Sequence, residues 1–248
     1  MKKFAIIVSG GNGLRMQTDI PKQFLEINGK PILLHTLEKF AAADPNMEIV
    51  LVLNVDHQGI WSKIVNKFKV TIPYTLVNGG RTRYHSVKNA LKKIPKNALV
   101  AIHDGVRPLL STSLILKGFE QLTKHEAIVT AIPSKDSIRR VQDGVSSALA
   151  REEIYLVQTP QIFTASILHK AYQQAYRNEF SDDAAVVERL GIPIHILIGE
   201  VDDWTPSAPC VDLVNQLSNF SNIDIMIIDS LNHCENYSYN TLAHSHSD

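Results

Sequence analysis

Three glycines and two basic residues near the start of the chain have the types and spacing of a polyphosphate-binding loop. A short apolar run at residues 4–8 breaks at Ser9 into glycines at positions 10, 11 and 13, with Arg15 and Lys22 close behind. This break is typical of a buried strand that enters a tight turn, because glycine lets the backbone approach a bulky group. Unobstructed N–H groups and two cations suit a polyanion. We therefore interpret the stretch as a nucleoside triphosphate loop.

Two later loops combine glycine with hydroxyl and charged side chains, and each follows a predicted strand. The strand predicted at residues 74–77 leads into Gly79-Gly80 and a helix that carries Arg83 and Ser86. The strand predicted at residues 99–102 leads into residues 103–108, which read His-Asp-Gly-Val-Arg-Pro. In open α/β sheets the carboxyl ends of the strands form the ligand crevice. We therefore expect the three loops to meet at one site.

Apolar runs alternate with helical stripes along most of the chain, which predicts βαβ units. Residues 48–54 contain a continuous apolar run, typical of a parallel strand that is covered on both faces. Helical spacing of apolar residues follows Pro31 and recurs at residues 58–68. Further helices are predicted at residues 113–125, at residues 165–177 and, with Ser181 as N-cap, through residue 190.

The pattern changes at about residues 133–155, where charges surround the turn pair Asp143-Gly144. Charges with only short apolar pieces favour a projecting hairpin rather than a core element. The fold class is therefore predicted to be α/β: a Rossmann-like three-layer αβα sandwich with a mainly parallel mixed sheet and a projecting β-arm.

Length and composition narrow the class of protein further. With 248 residues and 44% hydrophobic content, the chain is expected to form a single domain over residues 1–248. Basic and acidic residues both number 25, and no basic run is present to follow a nucleic-acid backbone. Cys210 and Cys234 do not have the spacing of a disulfide framework or a zinc site, which favours a cytoplasmic location. No apolar stretch approaches membrane-spanning length, so no membrane partner is expected. The balanced charge likewise means that no nucleic-acid partner is expected.

The first loop is neither of the two best-known phosphate-binding loops. A Walker loop ends in Gly-Lys-Ser/Thr and a dinucleotide loop reads G-x-G-x-x-G, whereas these glycines give way to Arg15-Met16 and then to Pro-Lys-Gln-Phe-Leu at residues 21–25. This continuation resembles nucleotidyltransferases of the sugar-nucleotide pyrophosphorylase type. Seven ordered motifs carry the resemblance, at residues 9–16, 21–25, 79–86, 103–108, 133–140, 158–161 and 181–184.

Together these motifs resemble the 2-C-methyl-D-erythritol 4-phosphate cytidylyltransferase family of the non-mevalonate isoprenoid pathway. The resemblance implies a nucleotidyltransferase that joins CTP to a sugar-alcohol phosphate and releases pyrophosphate. It also implies Mg²⁺ bound mainly through the CTP phosphates, with no metal-ligand set supplied by the chain itself.

The resemblance implies roles for individual residues at the nucleotide. Arg15 and Lys22 would be the catalytic cations that stabilise the transition state at the α-phosphate, which agrees with nucleotidyl transfer being mostly positioning and charge neutralisation. No nucleophilic side chain is needed, because the substrate phosphate is already an anion. His103 is expected to support its loop rather than to exchange protons. The nucleotide would be bound by Ser9, Gly10, Gly11, Asn12, Gly13, Gly80, Arg83, Ser86 and Gly105.

Other residues would position the second substrate. Asp104 and Arg107 would face the polyol phosphate and the ribose, with a metal or water-mediated contact as a further role of Asp104. The alternative is that Asp104 hydrogen-bonds its own turn at the end of the strand. Arg151 matches a family residue that reaches the neighbouring subunit's site in a homodimer formed by arm exchange. Ser137, in the same arm, and Thr159, in the motif at residues 158–161, complete this set.

The pattern departs from the family after about residue 200. The family has a phosphate-binding lysine where Thr205 stands here, and no lysine follows Lys170 in this chain. We interpret residues 201–248 as an atypical segment and expect CTP binding to be intact but turnover to be reduced. Three other functions are considered: a ribitol 5-phosphate cytidylyltransferase, a CTP-binding protein with impaired catalysis and, more distantly, a dinucleotide-binding oxidoreductase.

Overall fold

A computed structural model describes residues 1–11 and 20–198 of the chain. Apolar runs that alternate with glycine- and proline-containing turns give the strands of this part. In chain order these are β1 (Lys2–Ser9), β2 (Glu26–Ile27), β3 (Lys30–Pro31), β4 (Glu48–Leu53), β5 (Tyr74–Asn78), β6 (Ala98–Asp104), β7 (Ala127–Pro133), β8 (Arg139–Gln142), β9 (Val145–Ala148), β10 (Tyr155–Thr164) and β11 (His195–Ile198).

Helices connect most of the strands. Pro31 stands just before the first of them, where its fixed φ favours helix entry and its missing N–H costs nothing. In chain order the helices are α1 (Ile32–Ala43), α2 (Gln58–Phe68), α3 (Arg83–Leu91), α4 (Thr112–Gln121), α5 (Ala165–Ala171) and α6 (Asp183–Glu188). Short 3-10 helices lie at Lys22–Phe24, Val55–His57 and Arg151–Glu153.

Within the described residues, a seven-stranded sheet has the order β11-β7-β10-β6-β1-β4-β5. β10 runs antiparallel to both of its neighbours, β6 and β7, and the other pairs are parallel. The prediction of a mainly parallel mixed sheet in a Rossmann-like fold is therefore confirmed. The parallel strands β1, β4, β5 and β6 end at the same edge of the sheet, where the predicted loops begin.

Both faces of the sheet are covered, which confirms the three-layer αβα sandwich. Phe4 and Ile6 of β1 belong to a core cluster with residues of α3, α5 and α6. Ala5 and Ile7 of the same strand belong to a second cluster with α1, α2 and α4. Successive side chains of a strand point to opposite faces, so a strand buried on both faces needs the continuous apolar run that the sequence shows.

Some predicted helix boundaries were wrong. The helix predicted at residues 113–125 ends at Gln121, because the next three N–H groups donate to carbonyls three residues back, in turns rather than in an α-helix. The helix predicted to reach residue 177 ends at Ala171, because side chains take over its last carbonyls: Gln174 Nε2 donates to Ala171 O at 2.9 Å and Tyr84 Oη donates to Tyr172 O at 3.0 Å. The next helix is capped by Asp182 rather than Ser181, since the Asp182 carboxylate accepts from Ala185 N at 2.8 Å.

The predicted hairpin is confirmed as β8 and β9, joined by a turn at Asp143-Gly144. Both turn residues have positive φ, 51° and 77°, which Asp tolerates and Gly adopts freely. All eight strand residues are exposed, including Val141 and Val145 at 68% and 71%. The use of this β-arm in dimerisation stays a prediction. The predicted atypical segment at residues 201–248 lies outside the described residues.

None of the helices in the described part of the chain has the length and apolar character that spanning a bilayer requires.

His103 joins the end of β6 to the loop that follows. The imidazole is fully buried beside the Phe40 ring, and its Nε2 lies 3.0 Å from Arg107 O. Burial lowers the pKa of His103 to about 4, so the ring is neutral and Nε2–H donates to the carbonyl. The expectation that His103 supports its loop agrees with these contacts.

This histidine makes stability depend on pH. Between pH 6.5, the ordinary value, and about 4, the unfolded chain binds more protons at His103 than the folded one, so stability falls as pH falls through this window. We expect a loss of up to about 3 kcal/mol of unfolding free energy. A His103→Gln variant, which keeps a donor, should lose this contribution in urea unfolding followed from pH 7 to 4.5. Equal slopes for variant and wild type would contradict the assignment.

Candidate active site

The carboxyl ends of β1, β5 and β6 border a cleft of about 300 Å³, which we call the central cleft. The loops expected to converge do so here: Gly10 follows β1, Gly80 follows β5, and Asp104 ends β6. The cleft is lined by Val8, Ser9, Gly10, Gly11, Lys22, Gln23, Gly80, Arg81, Thr82, Arg83, Ser86, Asp104 and Val106.

Eight of the predicted site residues line this cleft: Ser9, Gly10, Gly11, Lys22, Gly80, Arg83, Ser86 and Asp104. Gly105, Arg107 and Thr159 contact these residues from behind or beside the cleft. Ser137 and Arg151 belong to the exposed arm region and do not line it. Asn12, Gly13 and Arg15 lie outside the described residues.

Glycine is required at two positions because neighbouring atoms come too close for a side chain. A Cβ on residue 105 would lie 1.9 Å from Ser9 Oγ and 2.9 Å from Leu33 Cδ1. A Cβ on residue 80 would lie 2.4 Å from His85 Cβ. Gly105 therefore leaves room for the Ser9 hydroxyl at the floor of the cleft, and Gly80 lets its loop fold onto α3.

The start of the first loop offers hydrogen-bond donors to an anion. Ser9 is 7% exposed, and its Oγ has no hydrogen-bond partner among the described residues. A buried hydroxyl without a partner is costly, so a ligand oxygen that accepts from it would be favoured. Lys22 also lines the cleft and makes no ion pair within the described part of the chain. A serine hydroxyl and a lysine ammonium together suit a phosphate group.

The second loop is held by Ser86, which is 2% exposed in the first turns of α3. Gly80 N donates to Ser86 Oγ at 3.0 Å, and Thr82 caps the helix by accepting from His85 N at 3.4 Å. These contacts present the N-terminus of α3 to the cleft, where the partial positive charge of the helix favours negative or electron-rich groups.

Arg83 is the electrostatic centre of the site. Its guanidinium donates from Nη1 to Asp104 and from Nη2 to Asp183 Oδ2 at 2.7 Å. Asp183 is 1% exposed, and its other oxygen accepts from Tyr172 Oη at 2.5 Å. Burial by itself would lower the pKa of Arg83, but the charges of Asp183 and Asp104 outweigh it and raise the pKa, so Arg83 stays charged.

Asp104 is held from two sides. Burial would raise the pKa of Asp104, but the charge of Arg83 and the hydrogen bond from Arg107 outweigh it, so its pKa lies below the usual range. Arg107 Nε donates to Asp104 Oδ2 at 2.9 Å, and Arg107 Nη1 also donates to Gln158 Oε1. Thr159 Oγ1 accepts from Asp104 N at 3.3 Å. Asp104 is therefore ionised and fixed in orientation.

These contacts bear on what Asp104 can bind. Both of its carboxylate oxygens accept from arginines, which leaves them poorly disposed to ligate a cation. The described residues contain no group of three or more His, Cys, Asp or Glu side chains placed to hold a metal.

Sequence reasoning assigned no role to Asp183. The motif at residues 181–184 was interpreted as a helix cap, and one acidic residue, Asp182, does cap α6. Two consecutive acidic residues could have indicated this role from the sequence. A helix cap uses one carboxylate, which leaves the other available for a partner elsewhere in the chain. That partner, Arg83, is 100 residues away in the chain.

Removing the charge of Asp183 should weaken both the fold and the site. In an Asp183→Asn variant, Arg83 loses one of its two counter-charges and the Asn amide meets a donor, so we expect a loss of about 2 kcal/mol in unfolding free energy. Urea unfolding measures it. Glu188→Gln, an exposed change in the same helix, is the control and should stay within about 0.5 kcal/mol of wild type. Equal values for the two variants would rule out the pairing as a stabilising contact.

Comparison with known proteins agrees with this geometry. A family model described as IspD, 2-C-methyl-D-erythritol 4-phosphate cytidylyltransferase, matches residues 4–209. A protein of that name from Bacteroides thetaiotaomicron is 40% identical over 209 residues, which cover 84% of this chain and 95% of the relative. One from Azobacteroides pseudotrichonymphae is 46% identical over 187 residues, which cover 75% and 84%.

Solved structures of the same family also resemble this chain. The 4-diphosphocytidyl-2C-methyl-D-erythritol synthase of Anaerococcus prevotii superposes with a TM-score of 0.71 at 28% identity, covering 87% of this chain and 96% of that one. The bifunctional IspDF of Campylobacter jejuni superposes with a TM-score of 0.67 at 31% identity, covering 84% and 52%. The family match over most of the chain, together with relatives at 40% identity and above, identifies this chain as a member of the 2-C-methyl-D-erythritol 4-phosphate cytidylyltransferase family.

Proposed function

We propose that this chain joins CTP and 2-C-methyl-D-erythritol 4-phosphate to give 4-diphosphocytidyl-2-C-methyl-D-erythritol and pyrophosphate, a step of non-mevalonate isoprenoid biosynthesis. The observation that carries the proposal is the central cleft. It is bordered by Ser9, by the glycines of two loops and by Lys22, which makes no ion pair within the described part of the chain. Family membership supports the choice of nucleotide and second substrate.

The reaction needs positioning more than it needs a reactive side chain. A phosphate oxygen of the polyol phosphate forms a bond to the α-phosphorus of CTP, and the bond from that phosphorus to the bridging oxygen of the β-phosphate breaks. Negative charge grows on the α-phosphate oxygens and on the departing pyrophosphate. Lys22, together with Arg15 if it lies as its motif implies, would neutralise this charge, and the N–H groups of the first loop would hold the phosphates.

The nucleoside end would lie at the second and third loops. Gly80 and Ser86 would contact the cytosine and the ribose, where backbone groups and a hydroxyl can recognise the base edge. Arg83 and Asp104 would form the side wall of this part, where their ion pair fixes the orientation of both side chains. Gly105 acts from behind by leaving space for Ser9.

Mg²⁺ would be held mainly by the phosphates of CTP, because the described residues offer it no ligand cluster. When bound, it would withdraw charge from the triphosphate and so assist departure of pyrophosphate. The protein's part is to supply Ser9 and Lys22 to the oxygens that the cation leaves free.

The β-arm suggests a homodimer in which each subunit completes the other's site. The arm is exposed on both strands, with Val141 and Val145 among its most exposed apolar residues, and a second copy would cover them. Arg151 is 57% exposed beside Glu152 and does not line the cleft of its own chain. Arm exchange would carry Arg151 and Ser137 to the partner's polyol phosphate, where Arg107 and Thr159 would contribute from the other side.

The direct test is pyrophosphate release with CTP and Mg²⁺, comparing 2-C-methyl-D-erythritol 4-phosphate with ribitol 5-phosphate. We expect turnover with the first and little with the second. Calorimetry with each substrate alone tests the alternative of a CTP-binding protein with impaired catalysis. Binding of CTP without binding of the polyol phosphate would support that alternative. The rate itself tests the consequence of Thr205 in place of a lysine.

Lys22 should matter more to turnover than to CTP affinity. If its charge acts mainly on the transition state, Lys22→Ala should lower kcat by about 100-fold and weaken CTP binding less than about 5-fold. Steady-state kinetics and calorimetry measure the two effects. Lys63→Ala, an exposed change in α2, is the matched control and should leave both unchanged. Equal losses in kcat and affinity would mean that the residue only binds.

Arm exchange can be tested by mixing two inactive variants. In a heterodimer of Lys22→Ala and Arg151→Ala subunits, one of the two sites has both residues intact only if the arms are exchanged. Random mixing then makes half of the dimers heterodimers, so about one quarter of wild-type activity should return. If each arm serves its own subunit, the mixture stays as inactive as its components.

A further inference from the structure

Gln23 lines the central cleft, yet the reaction described above gives it no role. It is the second residue of the 3-10 helix Lys22–Phe24 and is 1% exposed, although its side chain ends in a polar amide. Its neighbour Lys22 is exposed at the cleft. A buried amide directly beside a catalytic cation raises the question of what it holds.

The amide ties three segments together. Gln23 Nε2 lies 3.4 Å from Ser9 O, at the end of β1, and 3.1 Å from His57 Nδ1, in the 3-10 helix before α2. A backbone carbonyl can only accept, so the NH₂ group, not the oxygen, must face Ser9. The second N–H then points to His57 Nδ1, which must carry a lone pair. The contacts thus fix both the amide orientation and the imidazole tautomer.

The next residue strengthens this attachment. Phe24 is 5% exposed, stacks on Trp61 with ring centroids 6.3 Å apart and meets the His57 ring edge-on at 6.0 Å. The turn itself is closed by Phe24 N donating to Pro21 O at 2.8 Å. Gln23 and Phe24 are both buried, so Lys22 is the exposed residue of this helix at the cleft.

We propose that Gln23 is a positioning residue for Lys22: by joining Ser9 O to His57, it sets the distance between the phosphate-binding loop and the lysine. The proposal rests on the proposed function, since it gives Lys22 its role at the α-phosphate. Ser9 links the two parts of the arrangement, because it lines the cleft and its carbonyl accepts from the amide. A shift of the turn would therefore move the ammonium relative to the bound phosphates, and small displacements of a catalytic group lower the rate strongly.

Three variants test the proposal. Gln23→Leu replaces the amide with an apolar side chain, which a buried position accepts. We expect kcat to fall about 30-fold, with the KM for CTP changed less than about 3-fold. His57→Leu removes the acceptor and should lower kcat about 5-fold. His57→Asn places a carbonyl oxygen near the position of Nδ1 and should restore kcat to within about 2-fold of wild type.

Hydrogen exchange supplies a measurement that needs no turnover. The segment 21–25 should exchange at least about 10-fold faster in Gln23→Leu than in wild type and at the wild-type rate in His57→Asn. Gln121→Leu, at the end of α4 and away from the cleft, is the control and should match wild type in kcat and in exchange of this segment.

The outcomes separate the proposal from simpler explanations. A Gln23→Leu protein with a lower fraction of folded molecules but normal kcat per folded site would overturn it, as would equal kcat for His57→Asn and His57→Leu. Faster exchange without loss of kcat would show that the turn is anchored but that Lys22 does not depend on it, which also overturns the proposal. A wild-type protein that releases no pyrophosphate would sink the proposed function, while the exchange data would still decide whether Gln23 holds the turn.

Discussion

The ion pairs of Arg83 with Asp104 and Asp183 hold the site together. Each partner comes from a different element: Arg83 begins α3, Asp104 ends β6 and Asp183 begins α6. A guanidinium in this position is stable only while both carboxylates are ionised, and the carboxylates are fixed only while the guanidinium is present. The helix on one face of the sheet and the strand end that borders the cleft are therefore locked by the same charge.

This arrangement divides the cations of the cleft into two kinds. Arg83 and Arg107 are neutralised by protein groups, so they shape the cleft and add little net charge to it. Lys22 and Arg81 face the same space without ion pairs in the described part of the chain. Negative charge that develops on phosphate oxygens is stabilised by cations that are already in position and that no protein carboxylate neutralises. The chain can hence be neutral overall and still present a local anion site.

The α/β fold could be predicted from sequence because its signals are local. The apolar run of β4 and the stripe of α2 each fall within about a dozen residues, and α2 was predicted with the bounds that the structure shows. The three converging loops followed from a general property of parallel sheets. The end of α5 could not be predicted, because it depends on Tyr84 and Gln174, whose side chains take up the carbonyls from other turns.

The site was less accessible to sequence reasoning for the same reason. Gly80 and Ser86 could be named from the sequence because both belong to one short motif, a glycine-rich turn that opens a helix, and lie only six positions apart. Asp183 and Arg83 are 100 positions apart, and Gln23 and His57 are 34 apart, so no spacing rule connects them. Motif reasoning finds groups that touch a ligand, since such groups cluster in loops. Buried polar residues that aim those groups are visible only once the fold brings them together.

A buried polar group that touches a ligand-facing residue is itself a clue to function. Gln23, Asp183 and Thr159 are each at most 8% exposed, and each contacts a residue that lines the cleft. Burying such groups costs free energy unless their hydrogen bonds are made, and apolar residues would fill the same space at lower cost. All three lie next to one cleft. This indicates that the fold accepts a lower free energy of unfolding there, and that the buried hydrogen bonds fix the positions of Ser9, Arg83 and Asp104. The triphosphate site that we propose at the first loop is thus bordered by side chains whose orientation is fixed by buried hydrogen bonds.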